Sequence, residues 1–267
     1  MVGSMEFDRR RLLGSLAAVG IASTVGGGLQ AKQAPPPMLV GLDGKPSSIA
    51  IDHFSLGVAN LTEGTQRLRA ETGFGSLEGS WFPGTGIANN YLPLGGDEYI
   101  EVESCVDVHA QDQISRWFGD QTADGDAFLG WCVRVSSHEE IERIAKRLGT
   151  KVEEGTLAVR PDGSKPTAIR TPDSFTAWKK GLPSFFCYPT LDEHVSRRSP
   201  TIPSRIVPNG VAWVEVGGTA RVTSDWLGID SRQLPIRFSG GELGLRAIGV
   251  RTADKLVEIR RKPIRII

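Results

Sequence analysis

Few residues of this chain combine a chemically able side chain with a setting that would hold it still. His53 lies within the β-branched, apolar stretch Ser48–Val58, and Glu101 lies between Ile100 and Val102. An imidazole can serve as a metal ligand or as a general acid–base group near neutral pH. An acid pointing inward from an apolar strand needs a partner, because burying a lone charge is costly. Glu103 shares the strand parity of Glu101 and can stand in for it. Each also has a structural reading: His53 as a core or sheet-edge histidine bonded to backbone, Glu101 as an ordinary strand acid. Trp131, Trp213, Phe186 and Tyr91 can line an apolar pocket or simply fill the core.

Other chemistry-bearing residues point elsewhere. Cys105, Cys132 and Cys187 show no CxxC spacing. Cys132 and Cys187 lie in apolar runs and read as buried thiols; a nucleophilic Cys187 would need a base and a lowered pKa. His138 belongs to Ser137-His138-Glu139-Glu140, a helix-capping box, and lacks the second histidine of HExxH. His109 and His194 fall in connectors beside charged residues. The run Gly84-Thr85-Gly86 precedes a strand instead of a helix, which excludes a dinucleotide loop. Neither GxSxG nor GxxxxGK[ST] occurs, so the hydrolase elbow and the P-loop have no support.

The elements that would position these residues come in a repeating order. Ser48–Val58 reads as a strand, and 61–72 as a short helix with Thr62 as its N-cap and Gly73 as its stop. Strands follow at 77–82, 87–94 and 98–103, the last two joined by Gly95-Gly96-Asp97. The order recurs with a strand at 127–135, a helix from Ser137 to Leu148, and strands at 155–160, 167–171 and 184–188. A helix around 111–118 falls in the connector between these two units. A looser third copy has a strand at 210–216, a helix at 219–227, and strands at 236–238, 245–251 and 256–260. Three βαβββ-like units at a similar spacing read as an architectural repeat.

The 267 residues suffice for one large domain or two small ones, and 39% apolar with 23% charged residues excludes large-scale disorder. Basic and acidic residues balance at 31 each, so there is no field for nucleic acid. Arg9-Arg10-Arg11 precede an apolar run from Leu12 to Val25, too short to span a bilayer, which needs roughly 20 residues. This pattern predicts a cleaved export signal of twin-arginine type over 1–34, with cleavage near Ala31 or Ala34, and a periplasmic or extracellular destination without a lasting membrane anchor. Residues 35–47 then form a Pro-rich mature N-terminus. With residues 1–34 removed the remaining chain is mildly acidic: four basic against two acidic residues leave with the segment, so a net of zero becomes −2.

Asp52-His53-Phe54-Ser55-Leu56-Gly57-Val58 and Tyr99-Ile100-Glu101-Val102-Glu103 resemble the glyoxalase-like branch of the vicinal oxygen chelate superfamily. So do Gly86…Asn89 with Leu92-Pro93-Leu94-Gly95, then Arg160-Pro161-Asp162-Gly163, then Leu182-Pro183-Ser184-Phe185-Phe186. The resemblance implies an α+β fold, with paired βαβββ modules over 48–190 forming a curled-sheet cup, and a linker and third partial module over 191–267. It implies a divalent metal (Zn, Fe, Mn, Ni or Mg) that chelates oxygens of a small-molecule substrate, with His53 and Glu101 at ligand positions. Glu101 would double as the catalytic carboxylate. In the second module the matching residues are Gly130 and Cys187, and in the third Val211 and Glu258; Ala88 stands where relatives often carry histidine. Glu258 would complete the ligand set if the third module abuts the first. If the third module does not pack on its own chain, a homodimer is the other way to bury its apolar face. Two functions follow: a metal-dependent lyase, isomerase or dioxygenase, or a metal-free small-molecule binding protein that keeps the cup without catalysis.

Overall fold

A computed structural model describes residues 38–107, 109–110, 112–155, 158–165, 169–171, 174–188, 190–191, 194–197 and 202–266. The expected export signal and its cleavage site lie outside the described residues. No helix among the described residues is long and apolar enough to cross a membrane.

A small hairpin, β1 (Leu39–Val40) with β2 (Pro46–Ser47), precedes the main body. The first βαβββ unit is β3 (Ala50–Gly57), α1 (Leu61–Thr72), β4 (Leu77–Phe82), β5 (Ile87–Pro93) and β6 (Tyr99–Cys105). Helix α1 begins where Asn60, not Thr62, accepts the Glu63 amide. It ends at Gly73, whose φ of 78° suits a residue without Cβ. After α2 (Gln113–Thr122), the second unit is β7 (Ala127–Val135), α3 (His138–Arg147), β8 (Glu153–Glu154), β9 (Ile169–Arg170), an added helix α4 (Ser174–Lys179), and β10 (Ser184–Cys187). Of the strand expected over 155–160, the described residues form one antiparallel bridge, between Val159 and Trp81; residues 156–157 lie outside the described residues.

These units share one sheet in the order β4-β5-β6-β3-β7-β10-β9-β8. Within each unit the first strand runs parallel to the last (β3 with β6, β7 with β10), and β3 and β7 join the units antiparallel. The sheet curls far enough for β4, at one end, to meet the Val159 segment of the second unit. The third unit is β11 (Pro208–Gly218), α5 (Ala220–Leu227), β12 (Ile236–Phe238), β13 (Gly240–Thr252) and β14 (Leu256–Arg260). It keeps the element order of the other two but stacks as β12-β11-β13-β14, so its first strand is central. A short β15 (Lys262–Pro263) then returns to pair with the start of β7.

Strand alternation divides the sheet chemically. Phe54, Leu56, Leu92, Ile100, Val102, Trp131, Val133 and Phe185 leave one face. They form a single core with Leu68 of α1, Ile141 and Ile144 of α3, Leu227 of α5, and Val214, Val216, Ile248, Val250 and Ile259 of the third sheet. The third unit therefore buries its apolar face on its own chain, and the reason for a dimer through that face is gone. The opposite, concave face carries His53, Ser55, Glu101, Glu103 and Asn89. At one end it is filled by Trp117 and Phe118 of α2, Phe175 and Trp178 of α4, Leu129 and Ile264.

Candidate functional site

The site begins with a bulge. Ile51 pairs with Val133 and His53 with the next residue, Cys132, leaving Asp52 as the extra residue of β3. Strict alternation would put neighbours 52 and 53 on opposite faces. The bulge instead lets them meet: His53 Nδ1–H donates to Asp52 Oδ2 at 2.7 Å. Both side chains are buried, His53 at 3% exposure and Asp52 at 0%.

Asp52 is a hub for three other groups. Tyr188 donates its hydroxyl to Oδ2 at 3.1 Å. His194 Nε2–H donates to Oδ1 at 3.1 Å, and an Arg134 nitrogen lies 3.5 Å from the same oxygen. The Ser196 backbone N–H donates to His194 Nδ1 at 3.3 Å, which leaves Nε2 to carry the proton. Ser196 Oγ reaches on to Asp97 at 3.2 Å, and Arg134 also pairs with Asp97 at 3.2 Å. Burial by itself would raise the Asp52 carboxyl; the hydrogen bonds from His194 and His53 outweigh it and hold the group well below the carboxylate range. Asp52 is thus a fixed anion.

That anion sets the His53 tautomer. With Nδ1 committed to Asp52, Nε2 is left with its lone pair, 3.6 Å from Glu101 Oε2. The Tyr99 ring stacks on the imidazole at 4.8 Å between centroids and Phe186 meets its edge at 5.3 Å, so the ring has no room to turn. The Asn89 amide donates to Glu101, and the Ser80 backbone N–H donates to Asn89 Oδ1 at 2.5 Å, fixing the Asn89 orientation. Ser55 donates to Glu103. Burial first, then the charges of Glu103 and Asp52, push the Glu101 carboxyl well above its usual range, against the pull of Asn89. Burial raises Glu103 as well, opposed by Ser55. The Glu101 side chain keeps 12% exposure, so the pair communicates with solvent.

The structure brings His53 and Glu101 together and does not bring Glu258 to them. Glu258 is exposed on β14, pairs with Arg260 at 2.9 Å, and lies on a sheet packed against the convex side of the cup. Gly130, the residue matching His53 in the second module, carries the Trp178 indole: an added Cβ would fall 2.4 Å from Trp178 Cδ1. Cys187 is buried and stands opposite Val135, away from the His53 row. His194, read from the sequence as a connector residue, is buried at the hub. His138 is an exposed helix residue 3.0 Å from Glu142. Asp52, Arg134, Tyr188 and His194 escaped sequence reasoning because a one-residue bulge and a linker fold-back leave no periodic signal; the adjacency of Asp52 and His53 was the one available hint.

Residues 51–227 match the family described as a glyoxalase-like domain. The chain belongs to the glyoxalase-like family, within the vicinal oxygen chelate superfamily. Among solved structures, a hypothetical protein from Staphylococcus aureus aligns with a TM-score of 0.52 at 11% identity, covering 78% of this chain and 92% of that one. Methylmalonyl-CoA epimerase from Mycobacterium tuberculosis aligns at 0.39 and 16% identity, covering 60% and 95%. The Streptomyces coelicolor enzyme in complex with 2-nitronate-propionyl-CoA aligns at 0.39 and 14%, covering 52% and 97%. No curated protein sequence matches the chain.

Members of this superfamily often use divalent metals. The donor set here does not fit one. His53 and Glu101 supply two ligands, Trp178 covers the position across the cup, and no group of three or more His, Cys, Asp or Glu able to hold an ion occurs among the described residues. An open metal centre wants three protein ligands or more.

Proposed function

We propose that the cup transfers protons on a small oxygen-bearing molecule, in an isomerase- or lyase-type reaction at a carbon beside a carbonyl, without a resident metal. The observation that carries this reading is the buried Asp52–His53–Glu101 line. It sets an imidazole held in one tautomer beside a carboxyl whose pKa burial raises, which is the arrangement of a base facing an acid. His53 Nε2 takes the carbon-bound proton, and the bonding electrons move toward the carbonyl oxygen. Glu101 delivers its proton to that oxygen, and Asp52 offsets the imidazolium formed. His53 then returns a proton to carbon while Glu101 takes its proton back from the oxygen, which restores the carbonyl and both residues and completes the isomerisation.

The test uses chelator-treated protein and small α-hydroxy and α-oxo carbonyl compounds in D2O, with loss of the α-proton signal followed by NMR. Exchange should persist after chelation and fall by about 10²–10⁴-fold in Glu101→Gln. Exchange that appears only when a divalent metal is added restores the metal-dependent reading. Saturable binding without exchange of any compound favours the binding-protein reading.

We further propose that the chain acts outside the cytoplasm, on the strength of Arg9-Arg10 and the short apolar run after them. Mass spectrometry of the protein recovered from an exporting host should find an N-terminus between residues 31 and 36. A soluble cytoplasmic form that keeps Met1 or Met5 refutes export.

A further inference from the structure

A cavity of about 300 Å³ opens between α2 and the end of α4. Gln113, Arg116, Trp117 and Asp120 of α2 line it, with Lys179 of α4. The volume falls at the lower end of the range that small-molecule sites occupy, about 300–1,000 Å³. The four residues of α2 stand at i, i+3, i+4 and i+7, so they form one continuous strip of the helix. None of the five belongs to the strands that carry His53 and Glu101.

The floor of the cavity is aromatic and fixed. Trp117 is 4% exposed, with Phe175 against its ring edge-on at 5.1 Å and Phe118 at 5.7 Å. The walls are charged, and their charges are unmatched. Arg116 and Asp120 are four residues apart on one helix, a spacing that suits an ion pair. Yet Arg116 pairs neither with Asp120 nor with any other acid among the described residues. Lys179 also has no carboxylate partner among them; its ammonium stands 4.6 Å from the centroid of the Phe175 ring, which keeps it beside the aromatic wall. Two cations against one acid leave the walls with one positive charge.

We propose that this cavity binds an aromatic monocarboxylate. The ring of the ligand lies against the Trp117 indole, where flat apolar surfaces stack. Its carboxylate sits between Arg116 and Lys179, two cations that reach it from different helices, and the guanidinium fork matches the two oxygens. The Gln113 amide is a further donor to the same group. Asp120 repels a second negative charge, which selects a monoanion over a dianion. Both cations reach solvent, so the affinity is modest, with a Kd of about 0.1–1 mM. The inference stands apart from the proton-transfer reading and shares no residue with it.

Phenylacetate is the probe, titrated into the purified protein by calorimetry. It should bind saturably, and phenylacetamide, which has the same shape without the charge, should bind about tenfold more weakly. Arg116→Gln and Lys179→Gln keep a polar chain and lose the charge; each should weaken phenylacetate by about five- to tenfold. Arg221→Gln makes the same change in net charge at an exposed position of α5 and should leave the affinity unchanged. The comparison of acid with amide uses the unaltered protein, so it decides the matter even where a variant does not fold. Equal affinity for the two compounds overturns the inference. Affinity that is unchanged in both cavity variants, or that falls equally in Arg221→Gln, places the ligand elsewhere and overturns it as well. The absence of any saturable response to phenylacetate has the same effect.

Discussion

Asp52→Ala should destabilise the protein by about 3–5 kcal/mol, the range for removing one partner from a buried charged network. In a chain this size that is a fall in Tm on the order of 10 °C. The substitution leaves His53 Nδ1, His194 Nε2 and the Tyr188 hydroxyl facing an empty acceptor position in a buried setting. Calorimetry of the wild type and the variant checks it, with Glu258→Ala as a surface control that should change little. Because the folded Asp52 pKa is depressed, its contribution is fully present above the ordinary value of 3.8 and is lost as pH falls further. The gap between wild type and variant should therefore narrow in acid. A drop below about 1 kcal/mol at neutral pH would remove Asp52 from the centre of the network.

Glu103→Gln should act in the opposite direction. Burial raises the folded Glu103 pKa above its ordinary 4.5. A raised carboxyl contributes its full share of stability below that ordinary value, and the share is lost as pH rises through the folded pKa. The amide is neutral at every pH and still accepts from Ser55. The variant should match the wild type near pH 4, gain on it as pH rises to about 7, by about 1.4 kcal/mol for each unit of elevation, and hold a constant lead from there to pH 9. Tm measured across that interval decides the matter. A difference that stays constant with pH refutes a strained, proton-holding Glu103.

The fold was legible to the degree that periodicity governs it. Helix α1 and strands β4, β7, β12 and β14 fall on the expected bounds, because each carries a run of alternating or helical apolar spacing. The second unit was read less well: β8 and β9 have two residues each, too short for alternation to show, and α4, with six residues, is too short for helical spacing to show. In the third unit the element order was visible and the strand order was not. The same string of one strand, a helix and three strands closes either with β3 beside the last strand or with β11 in the middle, and only packing against the convex core chooses.

For the site, the residues on one strand face were readable and those delivered from afar were not. Parity alone brought His53 and Glu101 to one side. Reading Glu258 as a third ligand required the third unit to approach the concave face, but its apolar residues match the opposite face, and burial decides which way a sheet docks. The partners that settle the tautomer of His53 come from a bulge, from β7 and from the segment after β10, three places where sequence spacing carries no geometric information.

The edge of β7 has a consequence for how the molecule assembles. Its residues 132–135 pair with β10, whereas Ala127 and Phe128 pair with β15, drawn from residues 262–263. The β1 hairpin is likewise tied at Val40 to Gln233, and Glu71 to Arg261, across separations of 193 and 190 residues. Contacts this distant in the chain form only after long loops have closed, which places the protein among slow folders. A ribosome-bound chain that has not yet emitted residues 262–263 leaves the β7 backbone at 127–128 unpaired on that side, open to the wrong strand. Maturation is therefore a property of the whole chain: the cup cannot be finished while it is still being made.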